Sequence, residues 1–196
     1  MRILRIDSSA QTETSQSRRL SNRIIDGLYA LGKSPDVTVR DLNKRLPQLD
    51  RAWIEANTTP IDDRTDYHQK TLALSDTLIA EIEVADTLII GVAIYNFSIP
   101  ASLKLWIDLV CRTRKTFAYS EGKPKGLMTG KKAIVCFASG GTPFGSDIDF
   151  ASGYIRHILD LIGITDATFI AADKRFKDDQ ILTRADAAVD ALIGQL

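Results

Sequence analysis

The sequence predicts an α/β domain in which a parallel sheet of five strands is covered by helices on both faces. Short apolar runs alternate with stretches of helical periodicity from one end of the 196-residue chain to the other. The most apolar run, residues 86–93, has the composition of a strand that is buried on both faces. No internal repeat or low-complexity linker interrupts the pattern. We therefore expect a single three-layer, doubly wound domain over residues 1–196.

The first part of the chain predicts two strands with a helix between them. Residues 2–6 form a short apolar run, and residues 18–31 place leucine and isoleucine at helical spacing after Ser17. Residues 37–41 alternate apolar and polar side chains, which is typical of a strand with one exposed face. The charged, proline-containing stretch 42–65 predicts an irregular crossing with one short helix.

The remaining sequence continues the alternation and fixes the expected strand order. Apolar spacing predicts a helix over 66–85, residues 86–93 read as the central strand, and Pro100 stands where a helix can begin. The later elements are strand 133–138, helix 150–161, strand 167–171 and helix 179–193. Helical crossovers between parallel strands are right-handed. We expect the order 2-1-3-4-5, which places the ends of the first and third strands at the switch point where ligands bind.

Composition excludes several classes of protein. Twenty-five basic and twenty-five acidic residues give zero formal charge, which argues against a broad surface for nucleic acid or for membrane lipid. Cys111 and Cys136 form no Cys-x-x-Cys pair, so neither a disulfide framework nor a common metal site is expected. The apolar run at the N-terminus is too short for a secretory leader. No other run approaches the roughly 20 apolar residues of a membrane helix. A cytoplasmic location is the expectation.

Three loops that follow predicted strands carry groups suited to a flat, phosphorylated ligand. Residues 7–17 place serines at the start of the first helix, where free amides and the helix dipole attract anions. Residues 94–97 hold two aromatic rings around an amide side chain, which suits a flat heterocycle. Residues 139–142 include a glycine pair that lets the backbone approach a ligand closely. Because parallel strands end at one edge of a sheet, we expect one ligand to touch all three loops.

Each loop also has a purely structural alternative. Ser17 can simply cap the helix, Tyr95 and Phe97 can anchor a loop on the core, and the glycine pair can form a turn. Other binding classes lack their motifs: no glycine-rich triphosphate or dinucleotide sequence follows the first strand. The sixth residue after each cysteine is not arginine, which excludes a low-molecular-weight tyrosine phosphatase. A serine hydrolase is disfavoured because His157 lies in a predicted helix without an evident acid partner.

Several segments occur in one order over residues 2–172 and together form a specific pattern. They are Asp7-Ser-Ser9 with Ser15-Gln-Ser17, Tyr95-Asn96-Phe97 followed by Pro-x-x-Leu-Lys, Thr116-Phe117-x-Tyr119, Gly126-Leu-Met-Thr-Gly-Lys-Lys132, Gly140-Gly141 and Leu161-Ile-Gly-Ile-Thr-Asp166. With this pattern the chain resembles the bacterial FMN-dependent NADH:azoreductase and NADH:quinone reductase family. The resemblance implies a flavodoxin-like homodimer that holds one FMN per subunit without a covalent bond.

The resemblance also implies roles for individual residues. The phosphate would be held by Ser9, Ser15, Gln16 and Ser17, the ring edge by Ile94, Tyr95, Asn96 and Phe97, and the opposite rim by Ala138, Ser139, Gly140 and Gly141. Phe117 and Tyr119 would line the substrate pocket; the structural alternative is that they form a small hydrophobic cluster under the loop 120–128. The chain departs from the family at Ala93-Ile94, where Pro-Met is usual, and at Ala138-Ser139, where a hydroxyl and then a larger polar residue are common.

The mechanism implied by the resemblance needs neither a catalytic side chain nor a metal, because the flavin carries the chemistry. NADH would give hydride to the flavin, and the flavin would pass two electrons to quinones or aromatic azo compounds by a ping-pong mechanism. Trp106 and its neighbours can belong to the core or to a dimer contact. Leu105, Trp106 and Leu109 lie off the main apolar stripe of their helix, which favours partial burial against a second copy. A noncatalytic flavodoxin-like electron carrier is the alternative, although such carriers are usually strongly acidic.

Overall fold

The structure is a computed structural model that describes residues 1–173 and 180–196. Seven strands and six α-helices lie within these residues, and a 3₁₀ turn covers Ile61–Asp63. The strands are β1 Arg2–Asp7, β2 Asp36–Asp41, β3 Thr87–Ala93, β4 Phe117–Ser120, β5 Lys123–Gly126, β6 Lys132–Ala138 and β7 Asp166–Ala172. The helices are α1 Gln16–Ala30, α2 Arg51–Thr58, α3 Asp66–Val84, α4 Ala101–Val110, α5 Ser152–Ile162 and α6 Ile181–Ile193. The predicted start of the last helix at Asp179 lies outside the described residues.

The main sheet is parallel and, within the described residues, contains five strands in the order β2-β1-β3-β6-β7. This numbering differs from the predicted 2-1-3-4-5 because β4 and β5, which were not predicted, pair with each other in a separate antiparallel hairpin. Every residue of β3 is buried, as its continuous apolar run predicts. Because these strands are parallel, the carboxyl ends of β1, β3 and β6 lie at the same edge of the sheet.

Helices cover both faces of this sheet, so the domain has three layers. Alternate residues of one strand face opposite layers. In β6, Ala133 and Val135 join the apolar cluster under α3, α4 and α5, whereas Ile134 and Cys136 join the cluster under α1 and α6. Complete burial of a branched aliphatic side chain contributes about 1.5–3 kcal/mol to stability, so these two clusters stabilise the sheet from both sides.

Helix α4 corrects one expectation. Trp106 is 3% exposed and Leu109 is 1% exposed within the single chain, so the prediction that both face a second copy is wrong. Both belong to the same cluster as Leu103 and as Met128, which follows the hairpin. Helix α4 is thus enclosed on more than one side by its own chain, and its apolar face is wider than one stripe.

The hairpin β4–β5 is fixed to the end of α5 by a close contact between two glycines. A Cβ atom at Gly126 would lie 2.1 Å from the backbone nitrogen of Gly163. Gly163 has φ 98°, the left-handed conformation that favours glycine at a helix end. The amide of Met128 donates to the carbonyl of Ile162 at 2.8 Å. The backbone contact leaves room for no side chain at Gly126.

Among residues 1–173 and 180–196, no helix is long and apolar enough to cross a membrane. The same residues contain no group of three or more His, Cys, Asp or Glu side chains arranged to hold a metal ion.

Candidate cofactor site

A cavity of about 190 Å³ lies at the edge of the sheet where β1, β3 and β6 end. Its lining comes from all three predicted loops: Ser9, Gln11, Thr14, Ser15, Gln16, Ala93, Ile94, Tyr95, Ala138, Ser139, Gly140 and Ala172. Sequence analysis missed Gln11, Thr14, Ala93 and Ala172. Of the predicted residues, Ser17, Asn96, Phe97 and Gly141 lie beside the cavity in sequence but do not line it. The prediction that the three loops converge is confirmed.

The loop between β1 and α1 ends in a helix start with unpaired amides. Ser15, not Ser17, is the N-cap of α1: its Oγ accepts a hydrogen bond from the Arg18 amide at 3.3 Å. Gln16 and Ser17 are the first two helical residues, so their amides have no carbonyl four residues earlier to bind. The hydroxyls of Ser15 and Ser17 lie 3.1 Å apart. This end of α1 offers neutral donors in the geometry that binds anions.

Tyr95 connects the second loop to the first. Its hydroxyl lies 3.4 Å from Ser9 Oγ and accepts a hydrogen bond from the Ala10 amide at 3.1 Å. The Gln11 amide donates to the same Ser9 Oγ at 3.3 Å. The side chain of Tyr95 is therefore held at the cavity wall by contacts with residues 7–17, which we call the serine loop. These bonds fix the relative position of the two loops.

Asn96 and Phe97 form the tip of a tight two-residue turn. Tyr95 and Ser98 exchange backbone hydrogen bonds at 3.1 and 3.2 Å on either side of the tip. Asn96 has φ 50° and Phe97 has φ 70°, so both central residues are left-handed, as in a type I′ turn. Asparagine tolerates this conformation, whereas phenylalanine does so at a cost of about 1–2 kcal/mol. The turn leaves the Phe97 side chain half exposed, two residues after the cavity-lining Tyr95.

The third loop presents backbone rather than side-chain groups. The Ser139 amide donates to the Ala172 carbonyl at 3.2 Å, and the Ser139 hydroxyl donates to the Thr142 carbonyl at 2.8 Å. The Ile94 amide donates to the Ala138 carbonyl at 2.9 Å. Because the serine hydroxyl is used within its own loop, the rim formed by Ser139 and Gly140 meets the cavity mainly through main-chain atoms.

Phe117 and Tyr119 lie on the hairpin and do not line the cavity of the single chain. Their rings pack edge to face with centroids 5.9 Å apart. Tyr119 is 65% exposed. The structural alternative, a small aromatic cluster, is therefore present, and the substrate role stays a prediction.

The charged groups next to the cavity lie behind the serine loop and do not line the cavity itself. No residue that lines the cavity carries a charge, among those the structure describes. Arg18 lies in the first turn of α1 and pairs with Asp7 at 3.2 Å and with Asp41 at 2.6 Å. Partial burial alone would raise the pKa of Asp41, but the hydrogen bonds from Arg18 and from the Asn43 amide outweigh burial, and the pKa is lowered.

Groups with other reactivity lie outside the cavity. Burial raises the pKa of Cys111 and of Cys136 to about 12, so both thiols are protonated at neutral pH. His68 completes a capping box with Thr65 at the start of α3, and His157 is exposed on α5. The cavity is thus suited to binding and does not contain a nucleophile paired with a base.

The residues present fit a flat ligand with a phosphate group. Neutral hydroxyls and free amides at the start of α1 suit the phosphate. Small or apolar side chains, Ala93, Ile94, Ala138 and Ala172, suit a planar ring. In addition, Arg18 Nε is a buried donor without an acceptor in the described part of the chain, which marks an unsatisfied polar group beneath this loop.

Comparison with known proteins gives consistent matches over the full chain. A family model described as flavodoxin-like fold matches residues 1–193. A protein from Jannaschia sp. (strain CCS1), named FMN-dependent NADH:quinone oxidoreductase 1, is 54% identical over 191 residues, which cover 97% of each chain. A protein of the same name from Hahella chejuensis (strain KCTC 2396) is 47% identical over 97% of this chain and 94% of its own.

Solved structures show the same fold at low sequence identity. An azoreductase from Bacillus anthracis str. Sterne superposes with a TM-score of 0.89 at 22% identity and covers 100% of both chains. An FMN-dependent NADH-azoreductase from Bacillus anthracis str. Ames Ancestor, solved in complex with FMN, gives a TM-score of 0.86 at 21% identity over 100% of this chain and 99% of its own.

Proposed function

The chain belongs to the flavodoxin-like family of FMN-dependent NADH:quinone oxidoreductases, and we propose that it binds FMN at the cavity and uses NADH to reduce quinones. The observation that carries this proposal is the convergence of three loops on one cavity whose lining is neutral, hydroxyl-rich at one end and apolar at the other. Relatives with this activity in their names are 54% and 47% identical. Aromatic azo compounds are the second class of oxidant in the proposal.

The proposed placement of FMN follows the chemistry of the loops. The phosphate lies at the start of α1 against Ser9, Ser15, Gln16 and Ser17. The turn from Ile94 to Phe97 supports the ring edge, with Tyr95 fixed by its contact to the Ala10 amide. Ala138, Ser139, Gly140 and Gly141 form the opposite rim, which contributes main-chain atoms.

In this proposal the cofactor and the protein chain have separate roles. When bound, FMN supplies the hydride and electron chemistry. The chain binds and orients it, keeps the phosphate in a site without opposing side-chain charge, and leaves one side open for substrates. A cavity of about 190 Å³ is smaller than the roughly 300–1,000 Å³ of typical ligand sites, so it encloses only part of a flavin. With one open face, donor and acceptor bind there in turn, which is the basis of the proposed ping-pong order.

A homodimer completes the proposal. Tyr95, Phe97, Tyr119 and Phe150 are large side chains with substantial exposure. The Phe150 amide donates to the Phe97 carbonyl at 3.1 Å, so Phe150 is adjacent to the turn at the cavity mouth. Exposed aromatic groups near a partly open cofactor site are suited to contact with a second copy. In this arrangement each of the two subunits holds one FMN and helps to cover the other's site.

The visible spectrum of the purified protein tests the proposal directly. We expect bound flavin, bleaching on anaerobic addition of NADH, and recovery on addition of a benzoquinone. A protein that takes up no FMN would overturn the flavoenzyme assignment. Bleaching by NADH without reoxidation by quinone would instead identify the electron-carrier alternative.

Substitution of one hydroxyl tests the phosphate end of the site. We expect Ser17→Ala to weaken FMN binding, because it removes a buried donor beside two free amides. A matched control is Ser120→Ala on the exposed hairpin, which should leave FMN affinity unchanged. Equal FMN affinity in Ser17→Ala and in the control would assign Ser17 a structural role only.

A further inference from the structure

No charged side chain of the serine loop lines the cavity, but charged side chains lie directly behind the loop, on the side away from the cavity. Arg18 follows Ser17 directly, is 9% exposed, and points its guanidinium away from solvent. Its Nη2 donates to the Ser9 carbonyl at 3.1 Å. The only formal positive charge that touches the main chain of this loop, among the described residues, is therefore held behind it rather than in the cavity.

Arg18 is held there by two carboxylates from neighbouring strand ends. Its Nη1 lies 3.2 Å from Asp7 Oδ2, and its Nη2 lies 2.6 Å from Asp41 Oδ1. Asp7 is also bound by Arg5 Nε at 2.9 Å. Two guanidinium groups thus balance two carboxylates in a network that joins the ends of β1 and β2 to the loop. Asp7 and Arg18 are both buried, so screening by water is weak.

Loss of Arg18 would change both the charge and the shape of the loop. Asp41 would lose its arginine partner and Asp7 would keep only Arg5, which leaves one uncompensated negative charge next to the loop. That charge would repel a phosphate anion at the start of α1. The Ser9 carbonyl would also lose the Arg18 donor that holds it, so the Ser9 hydroxyl would no longer be fixed beside the Gln11 amide and the Tyr95 hydroxyl.

We infer that Arg18 is a positioning residue that makes the serine loop selective for a phosphorylated flavin over an unphosphorylated one. It acts through the Ser9 carbonyl and through neutralisation of Asp7 and Asp41, without contact to the ligand. This inference rests on the proposed function and adds to it a determinant of cofactor choice. Asp41 opposes Arg18 in this role, since its carboxylate reduces the positive potential that Arg18 contributes at the loop.

The test compares the dissociation constants of FMN and riboflavin, measured by flavin fluorescence quenching on the full-length apoprotein. We expect Arg18→Gln to weaken FMN binding by roughly 10- to 30-fold, because it leaves one uncompensated negative charge behind the loop that holds the phosphate, at the dielectric of a partly buried site. Riboflavin binding should change by less than about threefold. Asp41→Asn should have the opposite sign and tighten FMN binding by about two- to fivefold.

Controls and contrary outcomes are distinct for each claim. Arg23→Gln removes another arginine of α1, one that pairs with Asp190 near the surface, and should leave both affinities unchanged. If Arg18→Gln weakens FMN and riboflavin equally, Arg18 is structural and the inference fails. If Arg18→Gln does not fold, Asp41→Asn still decides, since an unchanged or lowered preference for FMN would overturn the inference. A wild-type protein that binds neither flavin would instead refute the proposed function.

Discussion

At the scale of single residues, Phe97 occupies a conformation that its side chain disfavours. The turn from Tyr95 to Ser98 requires two left-handed residues, and the second is normally glycine. Strain of this kind persists when the surrounding structure imposes it, and it is concentrated at functional sites. We propose that the strained turn serves to present the exposed Phe97 ring next to the cavity-lining Tyr95.

Two variants of Phe97 separate strain from the loss of the ring. Both Phe97→Gly and Phe97→Ala remove the aromatic group, but only glycine accepts φ 70° without penalty. We expect the glycine variant to be more stable than the alanine variant by about 1 kcal/mol in urea unfolding. Both should show reduced quinone reductase activity. An alanine variant at least as stable as the glycine variant would show that the turn relaxes when the ring is removed.

The carboxylate of Asp149 fixes the loop that leads into α5 by accepting four hydrogen bonds. Its carboxylate accepts hydrogen bonds from the amides of Gly145, Ala151 and Ser152 at 2.8–3.0 Å, and from the Ser152 hydroxyl at 2.5 Å. Burial alone would raise its pKa, but these hydrogen bonds prevail and the pKa is lowered. A lowered folded pKa stabilises the protein at pH values above the unfolded pKa.

The pH dependence of unfolding tests this role. We expect Asp149→Asn to lower the unfolding free energy by about 1–2 kcal/mol at pH 7, because an asparagine keeps only one of the two oxygens that accept these hydrogen bonds. The difference from wild type should shrink as the pH falls from about 4, the unfolded pKa, through the lowered folded pKa of Asp149, because the folded wild type then loses its carboxylate charge. Asp147→Asn, at an exposed neighbour, is the control. A difference that does not depend on pH would exclude the carboxylate charge as the cause.

At the scale of elements, the hairpin β4–β5 depends on the contact between Gly126 and Gly163. A methyl group at Gly126 would overlap backbone atoms of the end of α5, so the hairpin has to move away. Since Phe117 and Tyr119 lie on this hairpin, the movement would reach the proposed substrate pocket and leave the serine loop untouched.

Gly126→Ala tests this coupling. We expect a loss of stability of about 1–3 kcal/mol, as for other overpacked sites, and a raised KM for quinone with unchanged FMN affinity. Gly153→Ala is the matched control: it meets no atom within 4 Å on helix α5 and should stabilise the protein by about 0.5–1 kcal/mol. Parallel loss of FMN affinity in Gly126→Ala would show that the hairpin and the serine loop are not independent.

Sequence periodicity predicted the elements that bury an apolar face. β3 and β6 were recognisable because their runs are apolar throughout, and α1, α3 and α5 because their apolar residues recur at helical spacing. The hairpin was missed because its strands, Phe117–Ser120 and Lys123–Gly126, have only four residues each, contain no buried residue, and the second is polar with a proline. The environment of Trp106 could not be predicted, since it depends on which distant segments enclose α4.

The site shows the same division between local and distant information. Ser15 was predictable as one of the serines around the start of a helix after a strand, although the cap was expected at Ser17. Gln16 was predicted only from the family resemblance. Arg18 was not singled out, because its role depends on Asp41, which pairing of β1 with β2 brings next to it. Local patterns thus identify the loops, whereas tertiary pairing determines the charge behind them.

At the scale of the whole molecule, the exposed aromatic residues at the cavity mouth predict self-association. We expect light scattering at micromolar concentration to give the mass of a dimer. Phe150→Asp should shift the protein toward the monomer and lower activity, because a charge at a buried contact is unfavourable. Leu31→Asp, at an exposed position after α1, is the control. A monomeric wild-type protein would contradict the dimer proposal.

The two apolar clusters and the cavity occupy different parts of the fold. The cavity is lined mainly by loop residues, and of these only Ala172 belongs to either buried cluster, with Ile94 packed at the margin of the other. The two apolar clusters, which supply most of the driving force for folding, therefore do not depend on a bound ligand. We expect cells starved of riboflavin to accumulate native apoprotein that later additions of FMN can activate, so vitamin supply would set the active fraction rather than the amount of enzyme made.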